Sequence, residues 1–316
     1  MKISKSLLGI LVFALLMINI VTVHCWSNKG TGDNEEFGTH KWISSHALES
    51  VLQSVEGTVD ESRFDWLVEN LDAYLLGTKA PDKPFSVVSG ANFLDYFDFF
   101  NHHNYYNSLD DMIEDRASVR AQEEYSKAVE ALFNDEYTLA AFFLGAMTHY
   151  LADLSNYQHA MGSDSLLGSE PRSEHSDYED QIRKLTDDMD TKYFNITYRP
   201  VNMVNFTNGP YEYARHIGWF SHQQAAWMNE NYQSGFTGSK ANTEFELKTE
   251  AVLNYTINMI ADLIYTLGFY ELSPYQTAST EWNYRSLWTY IIGGMVGLVL
   301  LVMVTRKAVR KIRNKR

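Results

Sequence analysis

Imidazole and carboxylate side chains recur at regular spacing in the middle of the chain. His149 and Asp153 are four residues apart, and so are His175 and Glu179. Side chains four residues apart are neighbours on a helix, so each pair could hold one metal ion. His159 follows His149 by ten residues, about 15 Å along a continuous helix, so it could share that ion only if the chain turned. A second metal centre is therefore the simpler interpretation of the spacing.

The chemistry of these pairs suits zinc. Imidazole with carboxylate is a common zinc ligand set, and burying such groups without partners costs free energy. A single His-x-x-x-Asp pair is more often a hydrogen-bonded or solvated pair than a metal site. Two pairs, an additional His and the N-terminal stretch WSNKGTGDNEEFGTHKWI together make metal binding the favoured interpretation.

The elements that must position these side chains are predicted to be helices. Apolar residues recur with helical spacing, and no run of alternating, strand-like residues competes with them. The helical runs are 42–52, 63–76, 117–133, 137–154, 175–189, 211–231 and 243–270. We expect an all-α fold with a single multi-helix domain over 26–272, whose irregular stretches at 77–107 and 160–174 complete the site.

Both ends of the chain resemble targeting segments. Residues 1–25 are predicted to be a secretory signal peptide cleaved before Trp26, with an uncleaved anchor as the alternative. Residues 286–304 are apolar and precede the basic segment 305–316, which predicts a C-terminal transmembrane helix with a cytoplasmic tail. Residues 273–285 form the predicted stalk. We therefore expect a single-pass type I protein of the cell membrane or another secretory-pathway membrane.

Charge and cysteine usage restrict the class of the exported segment. Residues 26–285 contain 17 basic and all 40 acidic residues, a net charge of −23. This charge argues against a nucleic-acid-binding surface and is compatible with bound divalent cations. The single cysteine, Cys25, lies at the signal boundary, so the exported domain is predicted to lack disulfides. Sequons at Asn195, Asn205 and Asn254 fit a glycoprotein.

Six short motifs are more specific together than any one of them is alone. They are Trp26 after the cleavage site, GTHKWI with His40, APD at 80–82, NHHNYY at 101–106, FFLGAMTHYLADLSNYQHA and EHSDYE at 174–179. In this combination the chain resembles the zinc-dependent phospholipase C family, most closely the bacterial enzymes and the catalytic domain of the related alpha-toxins. The resemblance extends over nearly the whole exported segment and is weaker after residue 200.

The resemblance implies three bound zinc ions and no organic cofactor. The implied ligands are the amine and carbonyl of Trp26 with His40 for one ion, His103, His149 and a bridging Asp153 for another, and His159, His175 and Glu179 for the third. His102 is the alternative to His103, which is preferred because an aromatic pair follows it at the family's spacing. Asp82 stands where the family has a carboxylate proposed as general base or as an aid to positioning water. A turn residue between two prolines is the alternative for Asp82.

The implied activity is hydrolysis of a phospholipid or another phosphodiester. A phospholipid would be cleaved to diacylglycerol and a phosphorylated headgroup. Zinc would lower the pKa of bound water toward ~7 and neutralise charge on the phosphate. Lys29 stands where choline-cleaving relatives have an acid and Lys83 where they have an aromatic residue, whereas Phe100 is retained. Two lysines oppose a choline cation, so a neutral or anionic headgroup is expected. Asn156 and Tyr157 replace the usual proline before His159.

Two other functions fit parts of the sequence. A single-strand-specific zinc nuclease of the same fold is the nearer one. In that class the first His usually lies closer to the N-terminal Trp and the last pair ends in Asp, whereas here the last pair ends in Glu179. A non-catalytic surface receptor that keeps the ions for folding is the other, and the retained Asp82 argues against it. We expect no nucleic-acid partner and no obligate protein partner.

Overall fold

The computed structural model describes residues 38–270 except 84, 86, 97–100, 108, 162–171, 187–192 and 236–243, and it leaves out the side chains of 172–177 and 232–235. Within this part of the chain the helices are α1 (Thr39–Val55), α2 (Asp65–Glu69), α3 (Leu71–Gly77), α4 (Arg116–Phe133), α5 (Tyr137–Asp153), α6 (Arg172–Leu185), α7 (Gly209–Gly235) and α8 (Glu244–Leu267). Short 3-10 helices cover Glu61–Phe64, Phe93–Tyr96 and Tyr157–Ala160. The predicted helical fold is therefore confirmed for this part of the chain.

One small sheet departs from the expected absence of strands. Strands β1 (Tyr105–Tyr106) and β2 (Met112–Glu114) pair antiparallel; β1 lies at the end of the predicted irregular stretch 77–107, and β2 lies just after it. In the connecting turn, the side-chain oxygen of Asn107 accepts hydrogen bonds from the backbone of Leu109 and Asp111. Strands of two and three residues are too short to produce the alternating pattern by which strands are predicted.

Helix α5 lies at the centre of the core. All of its residues from Leu144 to Asp153 are buried, including His149 and Asp153. A helix that is buried all round has apolar residues on every face, so its few polar residues must find partners inside the protein. His149 and Asp153 are therefore placed where each must be neutralised by the other or by groups on neighbouring elements.

Two glycines allow α3 to approach α5 backbone to backbone. A Cβ at Gly145 would lie 2.0 Å from the carbonyl oxygen of Tyr74, and one at Gly77 would lie 2.1 Å from that of Phe142. Only glycine avoids these overlaps. The close approach brings the chain that follows α3, beginning at Thr78, directly against the C-terminal half of α5.

The structure does not describe the predicted targeting segments at the two ends of the chain. Residues 1–25, 273–285, 286–304 and 305–316 all lie outside the described residues. None of the helices that the structure describes is both long enough and apolar enough to cross a bilayer.

Candidate metal centre

Asp153, the last residue of α5, is the centre of a buried cluster of imidazoles. Its Oδ1 lies 2.9 Å from Nε2 of His40. Its Oδ2 lies 2.7 Å from Nδ1 of His102 and 3.0 Å from Nε2 of His149. All four residues are fully buried. His40 comes from the first turn of α1 and His102 from the segment before β1, so three separate parts of the chain meet at one carboxylate.

The backbone that follows α3 fixes the tautomer of His149. Its Nδ1 donates a hydrogen bond of 2.8 Å to the carbonyl oxygen of Thr78, so Nε2 of the neutral imidazole carries the lone pair. That nitrogen faces Asp153 and lies 3.2 Å from Nδ1 of His102. It also lies 3.7 Å from Oδ1 of Asp82. Ligand atoms from four side chains therefore converge in one small volume.

This donor set fits a metal ion. His40, His149 and Asp153 form one group, and Asp82, His102 and His149 form another; in each, the ligand atoms lie within 4.8 Å of one another. Buried carboxylates are costly unless a cation or a proton neutralises them. Nδ1 of His40 is buried and has no hydrogen-bond partner among the described residues. Imidazole and carboxylate ligands, with a backbone carbonyl orienting one ring, are the arrangement that zinc uses.

Burial and neighbouring charge have opposite effects on the ionisation of the cluster. Burial disfavours protonation of His149, but the carboxylates of Asp153 and Asp82 outweigh it and raise the pKa of His149 to about 9. Burial, followed by the charge on His149, lowers the pKa of His40. Burial also disfavours ionised Asp153, yet the charges of His149 and His40 hold its pKa well below the usual range. Without metal, the cluster therefore holds a proton that a bound dication would displace.

His159 and Glu179 form a second buried pair beside the first cluster. Nε2 of His159 lies 3.6 Å from Oε1 of Glu179. Nδ1 of His159 donates a hydrogen bond of 3.0 Å to the carbonyl oxygen of His102. As at His149, a backbone carbonyl fixes the tautomer and directs the lone pair of Nε2 toward a carboxylate. This pair therefore fits a second ion.

Comparison with known proteins identifies the family. A profile described as "Zinc dependent phospholipase C" matches residues 39–270. The chain belongs to the zinc-dependent phospholipase C family. No curated protein matches its sequence significantly.

Solved structures show which fold this family member shares. The alpha toxin from Clostridium absonum matches with 18% identity and a TM-score of 0.51, over 77% of this chain and 64% of that chain. The alpha-toxin of Clostridium perfringens avian strain SWCP matches with 18% identity and a TM-score of 0.48, over 76% and 65% respectively. The match to the first toxin shows an alpha-toxin-like fold. The chain covers less than two-thirds of the length of either toxin.

In this zinc-dependent phospholipase C family member, the ring of His102 lies in the cluster around Asp153, whereas the sequence-based preference was for His103. The ring of His103 is half-buried and stacks on that of His159, with centroids 4.4 Å apart, and on that of Tyr105 at 5.0 Å. The two adjacent histidines therefore face different neighbours, Asp153 for His102 and the rings of His159 and Tyr105 for His103.

The other predicted site residues are only partly described. Asp82 joins the cluster, which favours its functional interpretation over that of a simple turn residue. Lys83, the next residue, is half-buried, and its backbone N–H donates to the carbonyl oxygen of Lys79 at 2.9 Å. The predicted site residues outside the described part of the chain are Trp26, Lys29, Phe100 and the side chain of His175.

Sequence reasoning missed the residues that hold the histidines in place. Thr78 acts through its carbonyl oxygen, which no side-chain pattern reveals. Asn104 ties two segments together, because its backbone N–H donates to the carbonyl oxygen of His159 at 3.2 Å and its side chain donates to Oγ of Ser118 at 2.7 Å. The only available signal for Asn104 is its position directly after the two histidines of NHHNYY.

Proposed function

We propose that this protein is a zinc-dependent phosphodiesterase, and specifically a phospholipase C that cleaves phospholipid to diacylglycerol and a phosphorylated headgroup. The observation that supports it is the convergence of His102, His149 and Asp82 around Asp153, in a chain that belongs to the zinc-dependent phospholipase C family. Bound zinc would supply Lewis acidity and a water that ionises near neutral pH.

We propose that the site binds three zinc ions. Asp153 would bind two of them, because its two oxygens face different histidines: Oδ1 faces His40, and Oδ2 faces His102 and His149. We assign Trp26 to the ion of His40, and His102 in place of His103 to the ion of His149. The third ion takes His159 and Glu179 together with His175, by analogy with the family.

Asp82 is the proposed catalytic carboxylate. Its side chain is 15% exposed, whereas those of His149 and Asp153 are fully buried, so Asp82 is the cluster carboxylate that solvent reaches. A carboxylate between the buried ligands and water is placed to orient the attacking water and to accept its proton. Its 3.7 Å separation from Nε2 of His149 keeps it within reach of the same ion.

The substrate and the location of the protein are further parts of the proposal. Lys83 follows the catalytic carboxylate directly, so a positive charge beside the site favours a neutral or anionic headgroup over choline. The predicted C-terminal helix at 286–304 would hold the domain at a membrane and raise the local concentration of lipid. The catalytic domain would then lie on the extracytoplasmic side.

The test uses the full-length protein purified in detergent micelles. Its metal content is measured by mass spectrometry, and its activity on phospholipid vesicles, a chromogenic phosphodiester and single-stranded DNA is compared with and without chelator. We expect bound zinc, chelator-sensitive turnover of phospholipid, and a loss of about 10²- to 10⁴-fold in kcat for Asp82→Asn. Asp60→Asn is the matched control, because Asp60 pairs with Arg63 on the surface and lies outside the cluster.

Two results would contradict the proposal. Preferred cleavage of single-stranded DNA would assign the protein to the nuclease class. Zinc binding without turnover of any phosphodiester would favour a metal-stabilised receptor.

A further inference from the structure

Asn156 lies between the two candidate ion sites and is fully buried. Its backbone N–H donates to the carbonyl oxygen of Asp153 at 2.9 Å, and its own carbonyl oxygen accepts from the backbone N–H of His159 at 2.9 Å. The backbone of Asn156 therefore forms the turn that separates a residue of the first cluster from a residue of the second.

Two contacts of the Asn156 side chain involve the elements that carry His159 and Glu179. Its Oδ1 accepts a hydrogen bond of 3.1 Å from the backbone N–H of Gln158, which caps the 3-10 helix Tyr157–Ala160 that bears His159. Its Nδ2 donates a hydrogen bond of 3.1 Å to Oε1 of Glu179. The orientation of the amide is unambiguous, because a backbone N–H can only donate and a carboxylate can only accept.

Both contacts act on the same pair of candidate ligands. Oε1 of Glu179, the oxygen that accepts from Asn156, is also the oxygen that lies 3.6 Å from Nε2 of His159. One amide thus fixes the turn that aims the imidazole and the rotamer of the carboxylate that faces it. Without the amide, Glu179 would lose one restraint on its rotamer, and the two ligand atoms would be held together less often.

We propose that Asn156 is a positioning residue for the ion held by His159 and Glu179. This inference rests on the proposed function, because it takes that pair as a zinc site. Outer hydrogen bonds that orient metal ligands typically contribute 10- to 100-fold to metal affinity. We therefore expect Asn156 to set the affinity of this ion while leaving the ion at His149 and Asp153 unchanged.

The test separates the two contacts of Asn156. In Asn156→Ser the shorter hydroxyl side chain still caps the 3-10 helix but cannot reach Glu179. We expect the full-length protein, titrated with zinc against a competing chelator, to bind one ion about 10- to 100-fold more weakly and the others as in wild type. Asn156→Thr makes the same separation if the Ser variant does not fold.

Asn258→Ala is the matched control. Asn258, on α8, is also a buried asparagine, and its side chain bridges the backbone of Thr197 and Arg199. This variant should lower the melting temperature of both the zinc-loaded and the chelated protein without changing the zinc affinity. If Asn156→Ser binds every ion as tightly as wild type, the inference is overturned.

A double mutant shows whether Asn156 acts through the carboxylate. Once Glu179→Ala has removed the carboxylate, Asn156→Ser should cause little further loss of zinc affinity, because the two changes act on one contact. Fully additive losses would contradict the inference. If wild type binds zinc but cleaves no phosphodiester, the proposed function fails while the positioning role of Asn156 remains testable by the same titration.

Discussion

Nδ1 of His159 donates a hydrogen bond of 3.0 Å to the carbonyl oxygen of His102. The backbone of a residue whose side chain lies in the first cluster thus orients the imidazole of the second. Asn104 strengthens the connection, because its backbone N–H donates to the carbonyl oxygen of His159. The two candidate ion sites therefore share one pair of crossing segments, and movement of either segment would disturb both sites.

The adjacent histidines of NHHNYY give the sharpest test of the site. We expect His102→Ala to weaken zinc binding and to lower turnover at least 100-fold, because it removes a ring nitrogen that lies 2.7 Å from Asp153. His103→Ala is the control within the same segment. It removes a ring that stacks on those of His159 and Tyr105, and should keep the full zinc content.

The measurement is zinc content by mass spectrometry together with turnover of a chromogenic phosphodiester. If the His103→Ala variant loses an ion and the His102→Ala variant keeps it, the assignment is reversed. The carbonyl oxygen that accepts from His159 remains in both variants, so any loss reflects the side chain.

The metal-free protein should become less stable as the pH rises from neutral. The pKa of His149 is raised from 6.5 to about 9 despite its burial, because Asp153 and Asp82 favour its charged form. A raised pKa stabilises the folded state fully below pH 6.5, and that contribution is lost as the pH rises through about 9. We expect the melting temperature of the chelated protein to fall over this range, and that of the zinc-loaded protein to change much less.

Zinc titration provides an independent measure of the same proton. If one proton leaves His149 when the metal binds, the apparent affinity should rise about tenfold per pH unit below pH 9. His46→Gln is a suitable control, since His46 is buried away from the cluster and its pKa is lowered, chiefly by burial. A chelated protein whose melting temperature is constant from pH 6.5 to 9 would contradict the role of His149.

Lys83 is expected to influence headgroup preference. Lys83→Glu exchanges a positive charge beside Asp82 for a negative one, which should favour a choline cation. We expect the ratio of phosphatidylcholine to phosphatidylglycerol hydrolysis to rise about tenfold, which corresponds to about 1.4 kcal/mol. Lys184→Glu makes the same charge change at an exposed position of α6 and should leave the ratio unchanged. A ratio that moves equally in both variants would show only a general effect of net charge.

The sequence predicted those parts of the site that depend on helical spacing. His149 and Asp153 lie one turn apart on α5, so their proximity follows from the geometry of the helix alone. The runs at 117–133 and 137–154 likewise correspond to α4 and α5. The run at 63–76 was less accurate, because the chain there divides into a 3-10 helix, α2 and α3.

The parts that sequence could not predict depend on irregular backbone. Whether His102 or His103 faces Asp153 is decided by the tertiary position of the segment before β1, whose two histidines are chemically identical. The contacts of Asn156 with Glu179 and of His149 with Thr78 join positions 23 and 71 residues apart, which no local pattern encodes. Supporting contacts of this kind become visible only once the tertiary structure is known.

The close approach of α3 and α5 predicts that a glycine outside the cluster, Gly145, influences the metal site. Gly145→Ala would place a Cβ 2.0 Å from the carbonyl oxygen of Tyr74, so the two helices must separate, at a cost of about 3 kcal/mol in the free energy of unfolding. Separation would also withdraw Thr78 from His149, so zinc affinity should fall together with the midpoint of urea unfolding.

Gly57→Ala is the control: its positive φ of 70° adds strain of about 1 kcal/mol, but its Cβ would meet nothing within 4 Å. If the Gly145→Ala protein is destabilised but binds zinc as tightly as wild type, the position of Thr78 does not govern the site.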